Sequence, residues 1–151
     1  MTSKAKKRPP ARKRATFTRT ELLPLVSSIA HSMSLRNHMS LAALRVGQGN
    51  LDLAGELLKA LYWTYYLSDV DTLSAHERDF VGAEQSLKAS IVKGAAEHQW
   101  GLDASGAGHL ATILQLHDQQ LASVPVYELD RAKERLLKRL VRGEFPSFEM
   151  A

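Results

Sequence analysis

Residues 51–68 read LDLAGELLKALYWTYYLS, and this stretch decides the fold. Its apolar positions recur every three or four residues, which is the period of an α-helix, and the aromatic run near its end makes that helix apolar nearly all round. A helix of this kind is typical of the centre of a bundle. Asn50 is a favourable N-cap for it, and Gly47 suits the left-handed position after the helix that comes before.

Further helices are predicted on both sides of this stretch. Thr20 is a candidate N-cap for the first helix, and Ser34 is expected to restart that helix after an interruption. On the other side, Ser74 and Glu77 have the spacing of a capping box, in which the hydroxyl and the carboxylate each accept a backbone N–H. The helix that this box opens is predicted to run to about His98.

Two more helices complete the prediction. Asp103 is a candidate N-cap for a helix that runs to about Ala122. Pro125 then breaks the chain before a last helix over about 126–142, which Gly143 ends. The sequence has no strand-like alternation, so the predicted fold is all-α: a compact bundle of five to six helices.

Bulk composition excludes several classes of protein. The chain has 151 residues, 44% of them hydrophobic, which suits one globular domain. It has no cysteine, which rules out disulfides, cysteine-ligated zinc and a thiol nucleophile, and which agrees with a reducing compartment. We find no apolar run long enough to span a membrane and no secretory signal. We therefore expect a cytoplasmic protein.

Positive charge is concentrated at the N-terminus. Residues 1–20 hold eight cations and no acid, so the remaining residues hold twelve cations against sixteen acids, although the whole chain has a net charge of +4. The first eighteen residues have almost no apolar content and include Pro9-Pro10. We therefore divide the chain into a disordered basic arm (1–19), a helical bundle domain (20–143) and a C-terminal tail (144–151). The cations of the arm are Lys4, Lys6, Lys7, Arg8, Arg12, Lys13, Arg14 and Arg19.

A flexible, acid-free basic segment suits the neutralisation of nucleic-acid phosphates, because binding gains from the release of counterions. The same segment would also suit an acidic protein partner, an anionic lipid surface, a targeting signal or a solubilising tail. Composition alone leaves these alternatives open.

The last helix adds a second cationic feature. Its cations at spacings of 4, 3 and 4 share one narrow face, and Leu129, Leu136 and Leu140 are predicted to point the opposite way, toward a core. This ridge is either a contact surface or an ordinary solvated face, since cations near a helix C-terminus also favour the helix dipole. The ridge consists of Arg131, Arg135, Lys138 and Arg142.

The central helix carries four aromatic residues within five positions. They are interpreted first as core residues whose polar groups reach the rim, and second as a homodimer or partner interface, since tyrosine and tryptophan dominate such interfaces. Base stacking is a third alternative, although no cations are interleaved with the rings. The candidate interface residues are Tyr62, Trp63, Tyr65 and Tyr66.

No motif indicates catalysis. His31 and His38 are seven residues apart, and His109 and His117 are eight apart, so neither pair has the spacing of a helical zinc site. The segment 105–108, SGAG, lacks both the following Lys-Ser/Thr of a phosphate-binding loop and the preceding strand of a nucleophile elbow. We expect no metal, no cofactor and no enzymatic activity.

Three short stretches resemble a group of small proteobacterial proteins that have a basic arm and a helical body and often occur on mobile elements. These stretches are LAALRVG at 41–47, WGL at 100–102 and LHDQQL at 116–121. Some members of the group are labelled Fis-type transcriptional regulators, which would imply a helix-turn-helix. The nearest candidate turn, at 122–126, contains Pro125 and no glycine, and the helix after 47–50 has no cation before Lys59. The resemblance therefore carries over no functional residues.

The favoured hypothesis is a non-catalytic nucleic-acid-associated protein, in a regulatory or accessory role, that contacts the phosphate backbone through its arm and its ridge. The alternative is a protein-interaction module or homodimeric adaptor that uses the acidic body and the aromatic helix.

Overall fold

The computed structural model describes residues 16–144 and 146–148. This part of the chain forms six helices and no strand, which confirms the predicted all-α bundle. The helices are α1 (Ser27–Arg45), α2 (Leu51–Leu67), α3 (Val70–Ala75), α4 (Glu77–Glu97), α5 (Ala104–Ser123) and α6 (Val126–Val141). None of these helices is long and apolar enough to cross a membrane.

α2 lies at the centre of the bundle, as its sequence predicts. It packs against α1, α4, α5 and α6, while α5 packs against α1, α2 and α4. The main core lies between these helices and contains leucines with no exposed surface, among them Leu57 of α2, Leu87 of α4 and Leu110 of α5. A second, smaller cluster joins Ala30, Leu121 and Leu129 at the start of α6.

Local signals place several helix ends correctly. The Asn50 side chain accepts the backbone N–H of Leu53 at 2.9 Å, and the Asp103 side chain accepts that of Gly106 at 2.6 Å. Gly47 has φ +75°, a left-handed conformation that residues with a side chain rarely adopt. Short polar side chains and this glycine therefore set the ends that the sequence predicts.

The predicted start of the first helix is wrong. α1 begins at Ser27, and it continues through Ser34 without interruption. Residues before it form a turn in which the Thr18 hydroxyl accepts the N–H of Glu21 while the Glu21 carboxylate accepts the N–H of Thr18, both at 3.3 Å. Thr20 caps no helix because the next carbonyls, Glu21 O and Leu23 O, accept the N–H groups of Tyr127 and Val126 of α6 and not amides of a helix of their own.

This contact also explains how α6 begins without a side-chain cap. The first amides of a helix have no partner within the helix itself. Leu23 O accepts the N–H of Val126 at 2.9 Å, and Glu21 O accepts the N–H of Tyr127 at 3.1 Å. Residues 16–26 therefore act as a backbone cap for α6 and hold its first turn in place.

The capping box at Ser74 and Glu77 is also not formed. Asp69 caps a short helix five residues earlier by accepting the N–H of Thr72 at 2.7 Å, so Ser74 lies inside α3. α4 begins at Glu77 without a side-chain cap. The competing cap five residues upstream is the physical reason for the error.

The end of the chain packs on the body. Phe148 lies against the rings of Tyr65 and Phe80, with centroid distances of 4.5 and 5.8 Å, and its N–H donates to the buried carboxylate of Glu84 at 3.0 Å. Tyr62 donates its hydroxyl proton to the same carboxylate, at 2.9 Å. The described tail residues, 146–148, are thus joined to α2 and α4.

Candidate nucleic-acid interface

The ridge lies on the outer side of α6. All four of its cations are exposed, while Leu129 and Leu136 on the opposite side of the helix are buried. Leu140 is 42% exposed, so its predicted core position is wrong: the core under α6 ends before the last turn of the helix. No carboxylate within the described residues lies at salt-bridge distance from Arg131, Arg135, Lys138 or Arg142.

Two of the ridge guanidinium groups are positioned by aromatic rings. The guanidinium carbon of Arg135 lies 4.4 Å from the centroid of the Tyr66 ring. That of Arg131 lies 5.2 Å from the Tyr127 ring and 5.5 Å from the Phe17 ring. Stacking of this kind orients a guanidinium and occupies its face, whereas phosphate binds to the N–H groups at its edge. Both side chains are therefore held in place without an ionic partner.

The beginning of the described chain is attached to the same end of the ridge. The Phe17 ring stacks on that of Tyr127 at a centroid distance of 4.3 Å and an interplanar angle of 22°. Since Arg131 lies over both rings, residue 17 lies beside the first cation of the ridge. Phe17, which the sequence assigns to the arm, therefore packs on α6, while the division of the chain at residue 20 stays a prediction.

The remaining cations of the arm are Arg19 and seven residues closer to the N-terminus. Arg19 is exposed on the turn that precedes α1. The others lie outside the described residues, and their predicted disorder and phosphate contacts stay predictions: Lys4, Lys6, Lys7, Arg8, Arg12, Lys13 and Arg14.

The four aromatic residues of α2 serve mainly to pack the bundle. Tyr62 is only 3% exposed, so its side chain cannot contact a partner at the surface and its prediction as an interface residue is wrong. Burial, together with the hydrogen bond to Glu84, raises the pKa of its hydroxyl. Trp63, Tyr65 and Tyr66 are half-buried, and their role as an interface stays a prediction. None of the four belongs to a fully exposed aromatic patch.

Three of the six histidines contact an aspartate. His38 Nε2 lies 2.7 Å from Asp118, and both His76 Nδ1 and His109 Nδ1 lie about 3 Å from the Asp79 carboxylate. Burial alone would raise the pKa of Asp79, but the two imidazole contacts outweigh it and lower that pKa. Among the described residues, no three histidine or acidic side chains gather as metal ligands.

His117 is different from the other histidines. It is completely buried on α5, beside the Trp63 ring at a centroid distance of 6.5 Å, and neither ring nitrogen has a hydrogen-bond partner within the described structure. Burial lowers the pKa of His117 to about 4, while the neighbouring Asp118 opposes that shift. The imidazole is therefore neutral near pH 7.

Sequence patterns did not reveal the contacts that position this surface. Phe17 is the one aromatic residue in an otherwise polar arm, and that isolation is the only signal of its packing on Tyr127. Lys133, which lies over the Trp63 ring at 5.2 Å, was also missed, because it falls off the face shared by the ridge.

Comparison with known proteins finds no matching family model, no matching curated protein and no matching solved structure. The resemblance to small proteobacterial proteins with a basic arm therefore stays a prediction.

Proposed function

We propose that this protein is a non-catalytic nucleic-acid-associated protein whose basic arm and α6 ridge contact the phosphate backbone together. The supporting observation is the stack of Phe17, Tyr127 and Arg131, which joins the described end of the arm to the first cation of the ridge. Two cationic features that are far apart in sequence thereby become one candidate surface. DNA in the cytoplasm, in a regulatory or accessory role, is the favoured setting.

The dimensions of the ridge suit this role. Arg131 and Arg142 are eleven positions apart, a helix length of about 16.5 Å at 1.5 Å per residue. Phosphates on one DNA strand follow each other at about 3.4 Å along the duplex axis, so the ridge can face several of them. Because the ridge cations have no carboxylate partners within the described structure, phosphate contacts would not have to displace an existing ion pair.

Such contacts predict a specific salt dependence. Each neutralised phosphate adds about 0.9 to the slope of log affinity against log salt, and phosphate contacts carry little sequence information. We therefore expect binding that weakens steeply with salt and differs little between unrelated duplexes.

The test is fluorescence anisotropy with a labelled duplex across a salt series. One full-length variant replaces the seven cations of residues 4–14 by glutamine, and a second carries Arg131→Gln and Lys138→Gln. The control carries Arg78→Gln and Lys93→Gln, which remove the same charge from exposed positions on α4. Both test variants should bind less tightly, the second with a slope reduced by about 1.8, while the control keeps the slope of the unmodified protein.

Two outcomes contradict the proposal. If the unmodified protein does not bind duplex or single-stranded nucleic acid at low salt, the arm has another partner, and a protein-interaction module becomes the better hypothesis. If the control loses as much slope as the ridge variant, binding follows net charge and the ridge is an ordinary solvated face.

A further inference from the structure

A second cationic site lies on a different flank of α6. A cavity of about 270 Å³ opens between α1, α2 and α6. Lys133 belongs to this cavity, and it lies about 200° around the helix from Arg131, so the cavity and the ridge are separate surfaces. Neither the described part of the arm, residues 16–19, nor any of the four ridge cations lines it.

The charges around the cavity are strongly unbalanced. Arg36 of α1, Lys59 of α2 and Lys133 of α6 all line it, and Glu56 is the one carboxylate among the lining residues that the structure describes. Glu56 and Lys59 are one turn apart on α2 and form an ion pair at 2.6 Å. The lining therefore has a formal charge of +2, with Arg36 and Lys133 lacking a carboxylate partner within the described structure.

Asn37 of α1 also lines the cavity, and its side-chain amide makes no hydrogen bond to any described residue. The amide atoms are not sealed from solvent, although the residue as a whole is only 6% exposed. Its N–H groups are therefore free to donate to a ligand in the cavity.

The position of Lys133 is fixed by an aromatic contact. Its ammonium nitrogen lies 5.2 Å from the centroid of the Trp63 ring, which forms part of the cavity wall. The Trp63 Nε1 is buried and has no partner among the described residues. Lys133 is thus held over the ring, next to the cavity, by a cation–π contact instead of a salt bridge.

We propose that this cavity binds a phosphate dianion, either free or as the end of a small phosphate monoester. A formal charge of +2 matches a dianion, and the ammonium, guanidinium and amide groups supply N–H donors for its oxygen atoms. At about 270 Å³ the cavity is slightly smaller than the sites that hold drug-sized ligands, which begin at about 300 Å³, so it suits a compact ligand.

The two tryptophans of the chain provide the test. In ¹⁵N NMR spectra of the full-length protein, the indole N–H of Trp63 reports on the cavity, while that of Trp100 is an internal control, because Trp100 does not line it. Inorganic phosphate is titrated at constant ionic strength against sodium chloride. We expect a saturable shift of the Trp63 indole and of the Asn37 side-chain amide, with no comparable shift of the Trp100 indole.

Substitutions separate a built site from general attraction of anions. Lys133→Met keeps the length of the side chain and should weaken phosphate binding at least fivefold. Lys93→Met removes the same charge from an exposed position on α4, away from the cavity, and should leave phosphate affinity unchanged. Glu56→Gln removes the carboxylate at the cavity and should tighten binding. A titration with ribose 5-phosphate distinguishes a phosphate monoester from free phosphate as the ligand. A much higher affinity for ribose 5-phosphate than for inorganic phosphate indicates a monoester, and equal affinity indicates the free ion.

The proposal is overturned if phosphate and chloride shift the Trp63 indole alike, or if Lys133→Met and Lys93→Met weaken binding equally. Because no residue of the arm or the ridge enters this test, its failure would leave the proposed nucleic-acid contact untouched.

Discussion

The centre of the bundle and the α6 edge are held together in different ways. The centre, formed by α1, α2, α4 and α5, is joined by fully buried apolar side chains such as Leu57 and Leu110. The α6 edge, formed by α6 and residues 16–26, buries few side chains of its own: Leu137 and Val141 near its end are 61% and 79% exposed. Backbone hydrogen bonds and cation–π contacts fix its position together with the few buried side chains, Leu129, Ala132 and Leu136.

Because of this difference, the stability of the fold depends mainly on the centre, whereas the proposed binding surface depends on the α6 edge. Burial of a leucine stabilises the fold by several kcal/mol, whereas an exposed cation–π contact contributes about 0.5–1 kcal/mol. Substitutions at the centre should therefore change the free energy of unfolding, while substitutions at the α6 edge should change which charged groups are presented and where. Four predictions test this contrast.

The largest effect is expected at the centre. Leu57→Ala removes a side chain with no exposed surface and leaves a cavity between α2 and its neighbours, so it should lower the free energy of unfolding by about 3 kcal/mol. The matched control is Leu137→Ala at the α6 edge, which should change that free energy by less than about 0.5 kcal/mol. Urea denaturation measures both values. Equal losses would contradict the contrast between the two regions.

His117 should make the centre sensitive to pH. Its pKa is about 4 in the folded state against an ordinary 6.5, so below pH 6.5 the unfolded chain takes up a proton that the folded protein excludes. The free energy of unfolding therefore has its full value above pH 6.5 and decreases as the pH falls toward 4. A difference of 2.5 pH units corresponds to about 3 kcal/mol.

Urea denaturation between pH 7 and pH 4 measures this effect. His117→Leu should flatten the profile in that window, while His31→Gln, at an exposed position, should leave it unchanged. The lowered pKa of Asp79 does not interfere, because its contribution is lost only below the ordinary value of 3.8. A His117→Leu profile that still falls between pH 6.5 and pH 4 would assign the pH sensitivity to other groups.

Two glycines in central helices should respond to alanine with opposite signs. At Gly94 of α4, an added Cβ would overlap the indole ring of Trp100, whereas at Gly55 of α2 it would meet nothing within 4 Å. Gly94→Ala should therefore destabilise the fold by about 1–3 kcal/mol, and Gly55→Ala should stabilise it by about 0.5–1 kcal/mol through helix propensity. Thermal unfolding of both variants checks the signs. Destabilisation by Gly55→Ala would place a neighbour against α2 that the structure does not contain.

The sequence predicted the features that depend on nearby residues. Periodicity identified the central helix and the cationic face of α6, and Asn50, Asp103 and Gly47 set helix ends through contacts within a few residues. The capping box predicted at Ser74 was wrong because Asp69 caps a competing turn five residues earlier, and both signals are local.

Features that join distant parts of the chain were not predictable in this way. The carbonyl of Glu21 binds the amide of Tyr127, more than a hundred residues away, and this contact displaces the expected helix at Thr20. The cavity beside Asn37 likewise needs residues from three helices, none of which has an unusual pattern by itself. Packing decides such contacts, and periodicity contains no information about them.

The smallest effect on stability is expected at Phe17. Its ring is 37% exposed and stacks on Tyr127, so Phe17→Ala should lower the free energy of unfolding by only about 1 kcal/mol or less. The same change should release the segment that caps α6, because Leu23 O and Glu21 O accept the amides of Val126 and Tyr127.

Hydrogen exchange therefore distinguishes a local effect from a global one. In Phe17→Ala the amides of Val126 and Tyr127 should exchange faster, while amides in α2 and α5 keep their protection, because opening of the cap does not require the centre to unfold. Leu22→Ala, which truncates a side chain that is 53% exposed in the same segment, is the matched control and should leave both amides protected. If Phe17→Ala accelerates exchange throughout the bundle, the α6 edge unfolds together with the centre, and the two regions form one cooperative unit.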